Sequence, residues 1–263
     1  MSSHLTSHPP SRRSFFATVF TLAWAFALPL RAETPPLRLA TSTPGGGFAA
    51  YGQMLERVLN RRAGYPLLQA VPTKGTGENL ELLAQGRVDA ALIQGTAASE
   101  VLARPDAGGL RILFTMYPSP GMLAVPAGSP LRQLDDARGR KVVLGVRTSG
   151  LVTLGRQVFE GIGPSPTQIV RIRERYPLLQ AMTVPPGTYP GMTEPLPTVG
   201  SVNLILARPG LDDARAKAFV QAMDADAAKL AEALPQAAFS TLANTLASAP
   251  DPALLHTVLR ANR

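Results

Sequence analysis

The residues best placed to do chemistry in this 263-residue chain lie in short polar loops that carry glycine. The first is Thr41-Ser42-Thr43-Pro44-Gly45-Gly46-Gly47. Pro44 and the glycines forbid regular structure and tolerate positive φ at little steric cost. A turn of this kind that opens into a helix leaves backbone N–H groups unpaired. With the helix dipole, those groups make a site for an anion such as a carboxylate or phosphate. The plain alternative is a tight β–α turn and nothing more. A second loop, Thr73-Lys74-Gly75-Thr76-Gly77-Glu78-Asn79, repeats the composition, and Gln94 follows an apolar run at Val88–Ile93. A third, Arg147-Thr148-Ser149-Gly150, brings Thr148 and Ser149, which could equally be ordinary helix caps. Lys74 and Arg147 could add positive charge to the same anion.

The elements needed to position these loops are readable. Leu37–Thr41 reads as a strand, and Phe48, Tyr51, Leu55, Val58 and Leu59 fall on one face of a following helix. Tyr65–Val71 reads as a second strand. Thr76 is the expected N-cap of a helix through Leu80, Leu82, Leu83 and Ala84 that Gly86 ends. Val88–Ile93 has the continuous apolar character of a buried parallel strand. Further strands are expected at Arg111–Met116 and Met122–Val125, separated by a turn at 117–121, then at Val142–Val146, Gln168–Ile172 and Thr198–Ala207. Helices are expected over Leu151–Gly161, Leu211–Leu234, Pro235–Leu246 and Pro252–Ala261. This order is α/β throughout. In open α/β sheets ligands gather outside the carboxyl ends of the strands, so Ser42 to Gly47, Thr73 to Asn79 and Gln94 are expected around one crevice.

The inventory excludes much catalysis. The chain has no cysteine, hence no disulfide, thiolate metal site or cysteine nucleophile. His4 and His8 lie in the N-terminal leader, which leaves His256, expected at the surface or as a cap. There is no G-x-S-x-G elbow, and one histidine cannot build a zinc site. No catalytic residue, metal or cofactor is therefore expected.

The leader itself is an address. Ser11-Arg12-Arg13-Ser14-Phe15-Phe16 is a twin-arginine pattern, the run Phe15–Leu30 is apolar, and cleavage is expected after Ala32, giving a periplasmic protein. A retained membrane anchor is the alternative. Without residues 1–32, which carry Arg12, Arg13 and Arg31, 23 basic and 18 acidic side chains remain, a formal +5. No Lys/Arg cluster with interleaved aromatics occurs, so nucleic acid is not an expected partner.

Several segments, in order, resemble one family. They are Leu39 to Gly47, Lys74 to Leu80, Gly86-Arg87-Val88-Asp89-Ala90 with Gln94, Leu134 to Val142, and Tyr176-Pro177 with Val184-Pro185-Pro186-Gly187-Thr188-Tyr189-Pro190-Gly191. The chain is similar to the solute-binding subunits of tripartite ATP-independent periplasmic (TRAP) transporters, of the immunogenic-protein-like (TAXI) class. The resemblance implies a two-lobe α/β binding-protein fold with a ligand cleft between the lobes. It implies a first lobe over 33–125, a second over 126–197, and a return to the first over 198–263. It also implies capture of a small carboxylate or amino acid for a membrane permease, no catalysis, and Tyr189 among the ligand residues.

Two departures stand out. Phe48-Ala49-Ala50-Tyr51 replaces an aromatic pair, and the run from Gln168–Ile172 into Tyr176-Pro177 leaves the second lobe short by at least one βαβ unit. A degenerate, non-transporting protein would share that shortening. The other competing reading is an exported oxidoreductase, since Gly45 to Ala50 satisfies G-x-G-x-x-A. Against it, Pro72-Thr73-Lys74 offers no acid for a ribose hydroxyl.

Overall fold

The computed structural model describes residues 35–126, 128–132, 134–144, 152, 154–155 and 179–260. Its sheet has the order β2-β1-β3-β6-β4, with β5 (Leu179–Val184) added antiparallel on β6. Strands β1 (Leu37–Ala40), β2 (Leu68–Val71) and β3 (Ala90–Ile93) are mutually parallel through β1. Strand β6 (Leu196–Ala207) runs antiparallel to β3 and to β4 (Arg111–Pro120). The α/β class expected from the sequence is observed. All four residues of β3 are buried, as a central strand covered on both faces requires.

Helix α1 (Gly47–Ala63) packs Tyr51, Met54, Leu55 and Leu59 into the core, each worth about 1.5–3 kcal/mol for a fully buried large side chain. It ends at Gly64, whose φ of 72° is left-handed. Helix α2 (Thr76–Ala84) links β2 to β3, and α3 (Gly95–Leu102) follows β3. Helices α4 (Asp213–Ala225) and α5 (Ala227–Ala233) replace the single helix expected over Leu211–Leu234. The break falls at Asp226, whose fully buried side chain takes Arg62 at 3.3 Å and Lys229 at 3.0 Å. Beyond a 3-10 turn at Pro235–Phe239 come α6 (Leu242–Ser248), a second such turn at Pro252–Leu254, and α7 (Thr257–Arg260).

Other expectations are corrected. Arg111–Met116 continues unbroken to Pro120, and Met122–Val125 is not a strand. Pro118 and Pro120 are accommodated because β4 is the outer strand of this sheet, where a missing N–H breaks no inward ladder. Residues 142–144 form no strand, and Val143 is exposed. His256 is buried. Its backbone N–H donates to Ile112 O at 2.9 Å, which stitches the C-terminal segment to β4. The expected strand at Gln168–Ile172 and the helix over Leu151–Gly161, save residues 152, 154 and 155, lie outside the described residues.

At the amino edge of the sheet, Asp89 gathers Arg38, Arg208 and Arg215. Arg215 is bidentate at 2.9 Å to each carboxylate oxygen, and Arg208 Nε donates at 3.2 Å. Burial alone would raise the carboxyl pKa. The Arg215 hydrogen bonds, the Arg38 N–H and the Arg208 donor outweigh it and hold the group below its usual value. The Gly86 to Ala90 motif is thus a structural ion-pair anchor.

Candidate functional site

The carboxyl edge of β1, β2 and β3 brings the first two polar loops together, and hydrogen bonds decide which residues face outward. Thr41, the residue after β1, donates its hydroxyl to Val71 O at 3.1 Å, tying the two loops at their base. Asn79 is completely buried beneath them. Its amide nitrogen donates to Thr41 O and Leu92 O, both at 2.8 Å, and its oxygen accepts from Thr73 Oγ1 at 2.6 Å. With both amide hydrogens used, Asn79 sets the spacing of β1 and β3 and has no donor left for a ligand. Thr76 is also buried. The expected N-cap role belongs instead to Gly75, whose φ of 104° suits only glycine. The Thr76 hydroxyl accepts from Gln94 N at 3.2 Å.

Gln94 closes the α3 terminus. Its Oε1 accepts from Thr96 N at 3.0 Å, from Ala97 N at 3.3 Å and from Thr96 Oγ1, while Nε2 donates to Ser201 Oγ at 2.8 Å. Gly95 N donates to Asn203 Oδ1 at 3.2 Å. The leading N–H groups of α3 are therefore satisfied by the protein itself, and α3 offers an anion nothing.

Helix α1 differs. Ser42 Oγ accepts from Ala49 N at 3.0 Å, and Gly46 N donates to Thr43 O at 3.0 Å. The N–H groups of Gly47 and Phe48, the first two helical residues, have no partner among the described residues. Thr43, Gly45 and Gly47 are exposed, and Gly45 holds a φ of 84°. Lys74 is exposed one loop away, its backbone N–H donating to Glu78 Oε2 at 2.6 Å.

The wall beside α1 is aromatic. Tyr51 is fully buried, with its hydroxyl 2.7 Å from Ser240 Oγ, and burial drives its pKa well above the ordinary phenol value. Half-buried Phe48 meets Tyr117 edge-on at 6.5 Å, and Tyr117 in turn meets Tyr51 edge-on at 5.4 Å. Sequence reading placed Tyr117 in a turn. It lies instead in β4, at the register shift between Thr115 and Pro118, and a bulge of this kind re-aims a side chain. Ser119, Ser201 and Asn203 were missed as well. Asn203 donates to Tyr117 O at 3.0 Å and to Ser119 Oγ at 2.7 Å. A polar residue inside the apolar run Val202 to Ala207 was the available signal.

Thr148 and Ser149 lie outside the described residues. Tyr189 is exposed in the connection between β5 (Leu179–Val184) and β6, where Gly187 N donates to Met192 O at 2.7 Å. The glycines of that distinctive motif, Gly187 and Gly191, have φ of 76° and 81°, so the turn itself requires them. Among the described residues no cluster of three His, Asp or Glu could hold a metal, and no helix is long and apolar enough to cross a membrane. A cavity of about 440 Å³ opens elsewhere, between the end of α3, the start of β4 and Pro250–Leu254. It shares no residue with these loops.

A family model described as NMT1-like matches residues 39–169 and 162–257. The chain belongs to the NMT1-like family. The two matched stretches of this NMT1-like chain meet at 162–169, beside the place where the sequence reads as shortened. No curated protein matches it. Solved structures similar to this family member include a TRAP periplasmic solute-binding protein from Ochrobactrum anthropi, 11% identical over 80% of this chain and 78% of that one, TM-score 0.37. Others are the sugar acid binding protein DctPAm from Advenella mimigardefordensis in complex with galactonate (12%, 77% and 80%, 0.41) and immunogenic lipoprotein A from Vibrio vulnificus (12%, 76% and 99%, 0.37). At TM-scores below 0.5, these likenesses bear on neither ligand nor transport partner.

Proposed function

We propose that the protein is a periplasmic solute-binding protein of the TRAP type, TAXI class, which captures a small carboxylate or amino acid and passes it to a membrane permease. The observation that carries this reading is the contrast between two helix ends at one sheet edge. The protein caps α3 from within, through Gln94 and Asn203, and leaves Gly47 and Phe48 of α1 open beside an aromatic wall. An open donor pair at the positive end of a 17-residue helix suits a carboxylate, and Phe48 and Tyr117 suit its carbon skeleton. In this reading residues 126–197 are the second, shortened lobe, and Thr148, Ser149 and Tyr189 are assigned to the ligand. The twin-arginine leader, cleaved near Ala32, takes the protein to the periplasm. Binding without turnover is part of this reading, and the sequence supplies no thiol nucleophile.

The test is a thermal-shift screen of amino acids, mono- and dicarboxylates, neutral sugars and nucleotides, with native mass spectrometry of whatever co-purifies. A ligand at 100 times its Kd stabilises the fold by about 2.7 kcal/mol, a Tm rise of about 5–10 °C for a protein of this size. Carboxylates are expected to give that rise. A rise with sugars or nucleotides alone would remove the anion argument.

A further inference from the structure

Tyr117 brings to the α1 terminus a hydroxyl that the fold itself does not use. The ring is held by Phe48 and Tyr51, which meet it edge-on, and Asn203 fixes the backbone carbonyl of the same residue. Its hydroxyl has no hydrogen-bond partner among the described residues. That oxygen stands 3.1 Å from where a Cβ on Gly47 would sit, so it lies against the first residue of α1, whose N–H is open. Helix α1 offers one ring at its open end, Phe48, since Ala49 and Ala50 follow it and Tyr51 turns fully into the core toward Ser240. β4 supplies a ring at this position instead, and that ring carries a donor.

We propose that Tyr117 is a specificity-determining residue of the solute site, its hydroxyl donating to the ligand's anionic group alongside the Gly47 and Phe48 N–H groups. The proposal rests on the solute-binding reading above. Burial pushes the Tyr117 pKa up to about 12, so the phenol stays protonated and able to donate at neutral pH. A phenol donor meeting a full negative charge makes a stronger bond than one meeting a neutral carbonyl. Tyr117 therefore separates a carboxylate from its amide, a distinction that ring packing alone cannot make.

Calorimetric titration of the purified protein tests this, with lactate, succinate and L-glutamate as probes, each against its primary amide. Tyr117→Phe keeps the ring and removes the hydroxyl. It is expected to weaken the preferred acid about tenfold, equivalent to about 1.4 kcal/mol. Amide binding and the unliganded Tm should barely move. Equal losses for acid and amide, or a lower unliganded Tm, would make Tyr117 a packing residue and overturn the proposal. Gly47→Ala crowds the same spot from the other side and separates the remaining outcomes. If it weakens the acid while Tyr117→Phe does not, the site stands and the role of Tyr117 falls. If no probe binds the wild type, the solute-binding reading falls and takes the proposal with it.

Discussion

Replacing Asn79 by Asp changes one atom at the most constrained point of the sheet edge. In the wild type, the Asn79 amide nitrogen reaches Thr41 O and Leu92 O at 2.8 Å each. An ionised Asp would put a second oxygen against those two carbonyls in a site with no solvent exposure. The Thr73 hydroxyl has one hydrogen, directed to the Asn79 oxygen at 2.6 Å, so neither Thr41 O nor Leu92 O has a full substitute for the Asn79 donor. The carboxyl avoids burying its charge by holding a proton, which it donates to one of the two carbonyls, and the other is left without its donor at a cost of about 2 kcal/mol. Each unit of upward pKa shift adds about 1.4 kcal/mol at neutral pH. With a shift of about one to two units the sum is about 4 kcal/mol, or about 10 °C in Tm. The new Asp has a folded pKa above its unfolded value. Its relative stability is therefore greatest below the unfolded value of about 3.9 and is lost as pH rises through the folded one. Urea unfolding of variant and wild type from pH 4 to pH 7 should show the gap widening toward neutral pH. A Tm within about 2 °C of wild type at pH 7 would refute the claim that Asn79 is a scaffold clamp, as would a gap that narrows on raising pH.

Two further substitutions probe the same frame. Gly95→Ala would place a Cβ 2.2 Å from Val202 O and 2.6 Å from Ser201 Cβ, and should cost about 3 kcal/mol or more by urea unfolding; under about 1 kcal/mol would mean α3 retreats freely from β6. His256 has its pKa lowered, by burial first, with Arg260 and Arg111 adding to that and the Leu211 backbone and Asp213 opposing it. Its neutral form is the folded one, so stability should fall as pH drops from about 6.5 toward the lower folded value, and His256→Gln should flatten that slope; an unchanged slope would place the titration elsewhere.

The opening strand, turn and helix were legible because each signal there is local: an apolar run, glycines, then a 3.6-residue period. Helix α3 was not, since Gly95 to Leu102 is short and its cap is a glutamine, a residue seldom read as a helix start. β4 was split in the reading by Pro118 and Pro120, which are strand breakers unless the strand is an outer one, and that is a fact of topology. Asn79, Thr76 and Gln94 were correctly gathered at one edge. Their direction was invisible, because sequence order places a side chain at a strand end without saying whether its donors turn inward. Tyr117 was missed because its position depends on a register shift between β4 and β6, partners far apart in sequence.

The place of β6 sets the order in which the molecule can be completed. β3 and β4 flank this strand, yet it is made long after both, and Ile93 must wait for Leu204. Closing a loop of that length costs about 4 kcal/mol of chain entropy before any ladder bond repays it. Until then β3 offers a bare, wholly apolar edge to any neighbouring chain. Folding is therefore expected to be slow and to finish only once most of the polypeptide has left the ribosome. A chain cut between Pro120 and Leu196 should retain the loops that form the candidate site and still lack the strand that holds them in one plane.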